Sequence, residues 1–170
     1  MSSVSVVGRP NMPPRLLELL DNKLSWQPYG VVRRITQEDV NDFARQTGDN
    51  QPMHVDVSRP TIAHGLFILS LLPQLSHDFP HNQDGKGGDA RIMLGGFNSI
   101  RFVRPVAVGS NVRAKYALNR HRQEDVRGMG SAEILEFAFQ IETETAPEVY
   151  KSAIRGEVSV YVWPNGTNAV

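Results

Sequence analysis

The sequence predicts an α+β fold in which an antiparallel sheet packs around one long buried helix. Residues 65–72 read GLFILSLL, and a run that is apolar on every side is typical of a helix enclosed by the core. From Ile92 onward, apolar and polar residues alternate, as expected of strands with one buried face. The apolar positions of these strands include Val112, Ala114, Tyr116, Leu118, Leu135, Phe137, Phe139, Ile141, Ile154, Val158, Val160 and Val162.

The connections follow from turn-forming residues. Residues 119–130 and 146–148 are predicted to connect strands as hairpins, and residues 76–89 to form a long loop. We expect a tail and a leucine-rich docking helix over residues 1–28, the folded domain over residues 29–163, and a second tail over residues 164–170. The sequence contains no internal repeat, and we expect no further domain within it.

Composition excludes several classes of function. The 170 residues include 18 basic and 18 acidic side chains, and this balance argues against a broad nucleic-acid surface. The absence of cysteine excludes disulfides, thiolate metal sites and cysteine nucleophiles. No apolar run approaches the ~20 residues that span a bilayer, and the first residues do not resemble a signal peptide. We therefore expect a cytoplasmic protein without membrane contacts.

A short helix precedes the most informative segment. Residues 31–35 predict a strand, and Thr36 is a candidate N-cap, with Glu38 and Asp39 in the first turn, where the helix dipole favours acidic side chains. Gly48 is placed to end that helix in a left-handed conformation. Asp49 therefore lies on a defined corner immediately after the helix.

Asp49 and His54 are the candidate catalytic residues. The intervening residues, 50–53, form a turn composition, NQPM, so both side chains can face one pocket if an extended segment follows. A carboxylate can take a proton from water while an imidazole orients that water. Gly65, at the start of the apolar helix, offers a bare backbone N–H for a carbonyl that gains negative charge.

Structural roles for the same residues remain open. Asp49 is also suited to closing the turn, and His54 to being a hydrogen-bonded core residue. His64 is more typical of a packed residue that positions Gly65 than of a catalyst. His54, Asp56 and His64 contain metal-binding groups, but their spacing matches no metal motif, so no metal is expected.

Three ordered blocks of sequence resemble the MaoC-like dehydratase family, the hot-dog-fold (R)-specific enoyl-CoA hydratases, and in particular its nodulation protein N-like branch. The family pattern of an aromatic residue, Gly-Asp, Asn-Pro, an aliphatic residue and His is similar to residues 43–54, FARQTGDNQPMH. The other two blocks are residues 62–65, IAHG, and residues 98–109, NSIRFVRPVAVG.

The resemblance implies a fold, a reaction and a site. Asp49 and His54 would be the catalytic pair, Gly65 the oxyanion-hole donor, and Asn98 and His64 substrate-binding residues. The reaction would be reversible addition of water to a trans-2-enoyl-CoA, giving an (R)-3-hydroxyacyl-CoA, with no metal or redox cofactor. The acyl-CoA substrate would bind to a homodimer, or a dimer of dimers, whose sheets join edge to edge and whose pockets use both subunits.

Two departures from the family pattern keep other activities open. Gln51 stands where many members have Asn, and only residues 55–63 separate His54 from His64, which is shorter than usual and implies either a more open acyl pocket or a missing loop. A hot-dog acyl-CoA thioesterase and a non-catalytic acyl-CoA-binding accessory protein are the alternative functions.

Overall fold

Five antiparallel strands and four helical segments make up the part of the chain that the computed structural model describes, which comprises Asp21, Trp26 and residues 30–75 and 91–163. The strands are β1 (Arg33–Arg34), β2 (Arg91–Phe102), β3 (Asn111–Val126), β4 (Gly130–Ala146) and β5 (Val149–Trp163). They form one sheet in the order β1-β3-β4-β5-β2. The helices are α1 (Gln37–Thr47), α2 (Pro52–Val55), α3 (Gly65–Ser70) and α4 (Leu72–Leu75).

Helix α1 begins and ends where the sequence predicts. The Thr36 hydroxyl accepts the Asp39 amide at 3.1 Å, and the Asp39 carboxylate accepts the Thr36 amide at 3.0 Å, so both unpaired donors are satisfied. Gly48 has φ +78° and donates its amide to the Ala44 carbonyl at 2.8 Å. Both ends of α1 are thus fixed by local hydrogen bonds, and the position of Asp49 follows from them.

The core lies between one face of the sheet and the two segments α3 and α4. Phe67, Ile68, Leu72 and Leu75 are buried there by the helices. They pack against the inward positions of the strands, which include Val112, Ala114, Tyr116, Leu118, Leu135, Phe137, Phe139, Ile141, Ile154, Val158, Val160 and Val162. This arrangement is the hot-dog fold, and it confirms the predicted α+β class.

The central helix is shorter and less enclosed than predicted. It divides at Leu71 into α3 and α4, and Pro73, two residues on, has no amide hydrogen to continue the helical hydrogen bonds. Leu66 is 64% exposed, so the expectation of burial on every side is wrong. An apolar run cannot by itself distinguish a core position from one that faces a groove, and Leu66 faces a groove.

Strand β3 is longer than predicted. Residues 119–126 continue the strand, and only residues 127–129 connect it to β4. The polar sequence that indicated a connection is instead a solvated strand pair, held by cross-strand contacts of His121 with Glu133 and of Arg122 with Glu136. The second predicted connection, residues 146–148, is confirmed as the turn between β4 and β5.

Strand β2 forms a long, exposed edge of the sheet. It pairs on one side with β5, and its register shifts between Leu94 and Gly96 and again between Asn98 and Arg101. Ser99, inside the second shift, has φ +51°. Exposed apolar side chains line the strand and the residue after it, namely Met93, Leu94, Phe97, Phe102 and Val103. Within the described part of the chain, this edge is therefore unpaired on its outer side, and it is apolar.

Several predictions lie outside the described residues. These are the amino-terminal tail and docking helix (apart from Asp21 and Trp26), the loop over residues 76–89 and the carboxy-terminal tail. Among the helices that the structure describes, none has the length and apolar character needed to cross a membrane.

Candidate active site

The short helix α2 positions His54 relative to Asp49. Gln51 is extended, with φ −59° and ψ 137°, and Pro52 begins α2, where its missing amide hydrogen costs no hydrogen bond. His54 lies within α2 and is 7% exposed, so the prediction that it follows the turn on an extended segment is wrong. The helical turn brings His54 inward, while Asp49 on the preceding corner keeps its side chain 41% exposed.

The ring of His54 is fixed by a backbone carbonyl. Its Nδ1 lies 2.8 Å from the Ile62 carbonyl oxygen, and since a carbonyl can only accept, Nδ1 carries the hydrogen. In the neutral ring, Nε2 is then the acceptor nitrogen, and it lies 4.0 Å from Oδ2 of Asp49. The Ile62 amide in turn donates to the Met53 carbonyl at 3.0 Å. The segment that carries His54 and the segment that carries Ile62 are thus joined by two hydrogen bonds, and each segment donates one of them.

His64 joins Asp49 to this arrangement. Its Nε2 donates to the backbone carbonyl of Asp49 at 2.9 Å and lies 4.0 Å from Oδ2 of the same residue. The ring of His64 stacks on that of His54, with centroids 3.8 Å apart. His64 is 3% exposed, and its Nδ1 has no hydrogen-bond partner within the described part of the chain. The structure therefore brings together three candidate residues of the sequence analysis, namely Asp49, His54 and His64.

Gly65 opens onto a groove beside His54. A Cβ on Gly65 would lie 2.8 Å from two atoms of the Phe102 ring, closer than packed carbons approach, so only glycine fits without moving that ring. As the first residue of α3, Gly65 has an amide that the helix itself leaves unpaired. The groove has a volume of about 450 Å³, and apolar side chains dominate its walls, which include Ile62, Leu66, Ile68, Phe102, Val103, Val106 and Ile154.

Two predicted features lie apart from the groove. Asn98 is exposed on β2 and is absent from the groove lining, so its substrate-binding role stays a prediction. Gln51 is also exposed and makes no side-chain capping bond, although its backbone carbonyl accepts the His54 amide at 2.8 Å. Residues 57–60 are exposed and likewise absent from the groove lining.

Two polar residues of the site were missed by the sequence interpretation. The Gln37 side chain donates to the His54 carbonyl at 2.8 Å and accepts the Thr61 hydroxyl at 2.5 Å. Gln37 is the first residue of α1, and an ordinary surface residue is expected there. The one usable signal was Thr61, a polar residue preceding the apolar pair Ile62-Ala63, and it is 7% exposed.

The donor atoms of Asp49, His54 and His64 lie within 4.8 Å of one another, a set that a metal ion can use. His54 Nδ1 and His64 Nε2 are already committed to backbone carbonyls. Asp56, the third candidate ligand of the sequence analysis, is instead bound by Ser58 and Arg59. The Ser58 hydroxyl and amide, followed by Arg59, lower the pKa of the Asp56 carboxyl.

Sequence comparison connects this site to known proteins. Residues 27–134 match the family described as MaoC like domain. The 3-hydroxyacyl-thioester dehydratase Z of Mycobacterium tuberculosis is 47% identical over 91 residues, 49% of this chain and 58% of that protein. Nodulation protein N of Rhizobium meliloti is 30% identical over 138 residues, 75% of this chain and 80% of that protein. The chain thus spans less than two thirds of the length of the dehydratase relatives.

Structural comparison gives the same fold. The (R)-hydratase of A. caviae involved in PHA biosynthesis has a TM-score of 0.58 and 24% identity, over 81% of this chain and 96% of that one. The antiparallel sheet and the helical segments packed on it define a hot-dog protein. The chain belongs to the MaoC-like dehydratase family.

Proposed function

We propose that this chain is an (R)-specific enoyl-CoA hydratase, a hydro-lyase that adds water reversibly to a trans-2-enoyl-CoA to give an (R)-3-hydroxyacyl-CoA. The observation that carries the proposal is the separation of 4.0 Å between Asp49 Oδ2 and His54 Nε2, beside an apolar groove that also exposes Gly65. Family membership supports hydro-lyase chemistry, and the CoA thioester substrate is part of the proposal.

Asp49 acts as the base that activates water. A gap of 4.0 Å is too wide for a direct hydrogen bond, but a water molecule about 2.8 Å from each of the two atoms fits it. Asp49 takes a proton from this water as the oxygen forms its bond to the β-carbon. His54 orients the water by accepting its second hydrogen at Nε2, and the proton that Asp49 has taken is returned to the α-carbon with the help of His54. His64, almost fully buried, holds the Asp49 backbone and does not need to contact substrate.

Gly65 provides the donor for the thioester oxygen. As water adds to the β-carbon, electron density moves to that oxygen, and a fixed backbone N–H stabilises the enolate-like state. The thioester itself makes the α-carbon acidic, so the proposed reaction needs no metal or redox cofactor. The apolar walls formed by Leu66, Phe102 and Ile154 suit the acyl chain.

A second copy of this chain is the proposed partner at the β2 edge. An exposed strand with free backbone groups and apolar side chains is a favourable surface for pairing. The edge ends at Phe102, which is 52% exposed and lines the groove, so a partner at β2 would also cover the groove mouth. This supports a homodimer in which both subunits shape each pocket.

The activity is tested by following loss of the enoyl-thioester absorbance of crotonyl-CoA and of longer enoyl-CoAs, with chiral analysis of the product. Replacing the base by Asp49→Asn should lower turnover by about 10²–10⁴-fold without unfolding the protein. Asp56→Asn is the matched control, because Asp56 is a nearby carboxylate outside the groove. Hydrolysis of saturated acyl-CoA without hydration, or an Asp49→Asn variant with normal turnover, would reject the proposal.

A further inference from the structure

We propose that Gln37 is a positioning residue that sets the place of His54 in the active site. The inference rests on the proposed function, because it assigns Gln37 an effect on turnover through His54. Gln37 does not line the groove and lies at the start of α1, on a different element from every predicted catalytic residue. Its effect is therefore indirect, through hydrogen bonds.

The Gln37 amide makes three hydrogen bonds. Its Nε2 donates to the His54 carbonyl at 2.8 Å and to Oδ1 of Asn41 at 2.9 Å. Its Oε1 accepts the Thr61 hydroxyl at 2.5 Å. Only an amide side chain of this length supplies a donor and an acceptor at the same place. Both amide hydrogens are thus used, and two of the three bonds reach the segments that carry the site.

These bonds form a closed circuit around His54. The circuit runs from the His54 carbonyl to Gln37, from Gln37 to Thr61, and along the backbone to Ile62. It closes at the Ile62 carbonyl, which accepts Nδ1–H of the His54 ring at 2.8 Å. Gln37 therefore controls both the backbone of His54 and the acceptor that orients its ring. A shift of Gln37 moves both together.

Thr61 connects Gln37 to the segment that follows β2 in the sheet. It is buried, its carbonyl accepts the Val108 amide at 3.0 Å, and the next residue, Ile62, forms a bridge with Ala107. The segment around Thr61 is thereby attached to the connection that follows β2. Gln37 links this attachment to α1, so His54 is held between two parts of the fold.

The test uses substitutions that change the hydrogen bonds of Gln37 and keep the fold. Gln37→Glu keeps the acceptor for Thr61 but turns an oxygen toward the His54 carbonyl, and an acidic residue at the first turn favours the helix. Gln37→Met keeps the length and loses every bond. Thr61→Val removes the hydroxyl, whereas Thr61→Ser retains it. Gln46→Glu, at an exposed position of the same helix, is the matched control.

Activity gives the first readout. We expect Gln37→Glu, Gln37→Met and Thr61→Val to lower kcat by about tenfold to a hundredfold with little change in KM, because misplacement of a catalytic group by about 1 Å has effects of this size. Thr61→Ser should retain most of the turnover, and Gln46→Glu all of it. An unchanged kcat in Gln37→Glu and Gln37→Met overturns the proposal, as does an equal loss in Thr61→Ser and Thr61→Val.

The second readout does not depend on catalysis. The Nδ1–H proton of His54 is observable by NMR in ¹⁵N-histidine-labelled protein, where its bond to Ile62 slows exchange with water. We expect this signal to shift or broaden in the Gln37 variants and to persist in Gln46→Glu. If the wild type lacks hydratase activity but the signal changes as expected, the proposed function fails while the positioning of His54 by Gln37 stands. A signal unaffected in folded Gln37→Met overturns that positioning.

Discussion

The imidazole rings of His54 and His64 stack with centroids 3.8 Å apart and an angle of 29° between their planes. Each ring donates one N–H to a backbone carbonyl, His54 to Ile62 and His64 to Asp49. The Asp49 carboxylate oxygen Oδ2 lies 4.0 Å from Nε2 of both rings. The acid and the two imidazoles thus form one packed unit, in which the buried ring of His64 contacts both the buried ring of His54 and the partly exposed Asp49.

This relationship predicts different effects for two substitutions of His64. His64→Phe keeps a ring against His54 but removes the donor to Asp49, which we expect to lower turnover by about 10–100-fold through movement of the carboxylate. His64→Gln places an amide donor near the former Nε2 and should retain more activity. Steady-state kinetics with an enoyl-CoA distinguishes them. Equal activity in the two variants would mean that the bond to Asp49 has no part in catalysis.

The close approach of Gly65 to Phe102 predicts a specific rescue. Gly65→Ala places a methyl group 2.8 Å from the Phe102 ring, and because that ring is half exposed, it can move into the groove at little cost in stability. We expect turnover at low substrate to fall by about tenfold or more, with a small change in melting temperature. Adding Phe102→Leu should restore part of the loss.

Phe102→Leu alone is the control for that experiment, since it removes the ring that a Gly65 methyl group would meet and leaves Gly65 unchanged. A Gly65→Ala variant with normal kinetics would show that the groove tolerates the displaced ring. If adding Phe102→Leu does not restore turnover, the loss in Gly65→Ala arises at the Gly65 amide and not from the displaced ring.

The capping of α1 predicts how stability depends on pH. Burial alone would raise the pKa of Asp39, but the Thr36 amide and hydroxyl, together with the Arg33 guanidinium, lower it below the usual 3.8. A lowered pKa in the folded state stabilises the fold above the unfolded value, and this contribution is lost as the pH falls through the folded value.

Asp39→Asn keeps an acceptor oxygen but removes the charge, so it should cost about 0.3–1 kcal/mol near neutral pH, and the difference from wild type should shrink as the pH falls below 3.8. Urea unfolding at neutral and acidic pH measures this. Glu38→Gln removes a charge from the same turn without removing the cap, and it should show a smaller change. If the difference in unfolding free energy between variant and wild type is constant across the pH range, titration of Asp39 does not contribute to the acid sensitivity of the fold.

The β2 edge predicts a substitution that weakens self-association. Leu94 is 56% exposed on this edge, and Leu94→Lys places a charge in the proposed contact, where a buried leucine contributes about 1.5–3 kcal/mol. We expect the dimer dissociation constant to rise by about tenfold or more, measured by analytical ultracentrifugation. Val149→Lys, at an exposed apolar position beside the β4–β5 turn, should leave it unchanged. A wild-type chain that is monomeric would remove the proposed interface.

Features determined by neighbouring residues were predictable from sequence. Thr36 and Gly48 act within one helical turn of their own positions, so the limits of α1 and the corner at Asp49 followed from local rules. The alternation of apolar and polar residues predicted which side chains of the strands face the core. The resemblance supplied the proposed catalytic roles, and the structure places His54 and Gly65 in the groove lining, with Asp49 Oδ2 4.0 Å from His54 Nε2.

Features determined by distant residues were not predictable. Whether Leu66 is buried depends on how far the sheet reaches beyond α3, and the extension of β3 depends on its pairing with β4. The bond from Gln37 to the His54 carbonyl crosses 17 positions of sequence and leaves no periodic signal. Such contacts depend on the relative placement of whole elements, which neither propensity nor spacing records.

The walls of the groove come from two separate stretches of the chain. His54, Ile62 and Gly65 belong to the same short piece of sequence as the proposed base, whereas Phe102, Val103 and Ile154 belong to the sheet and its connections. Under the proposed function, the reacting groups come from the first stretch alone, whereas both stretches form the apolar walls. Substitutions in the second stretch would then change the accepted acyl group while the reacting groups stay in place, which would make this chain a suitable scaffold for directed evolution of substrate range.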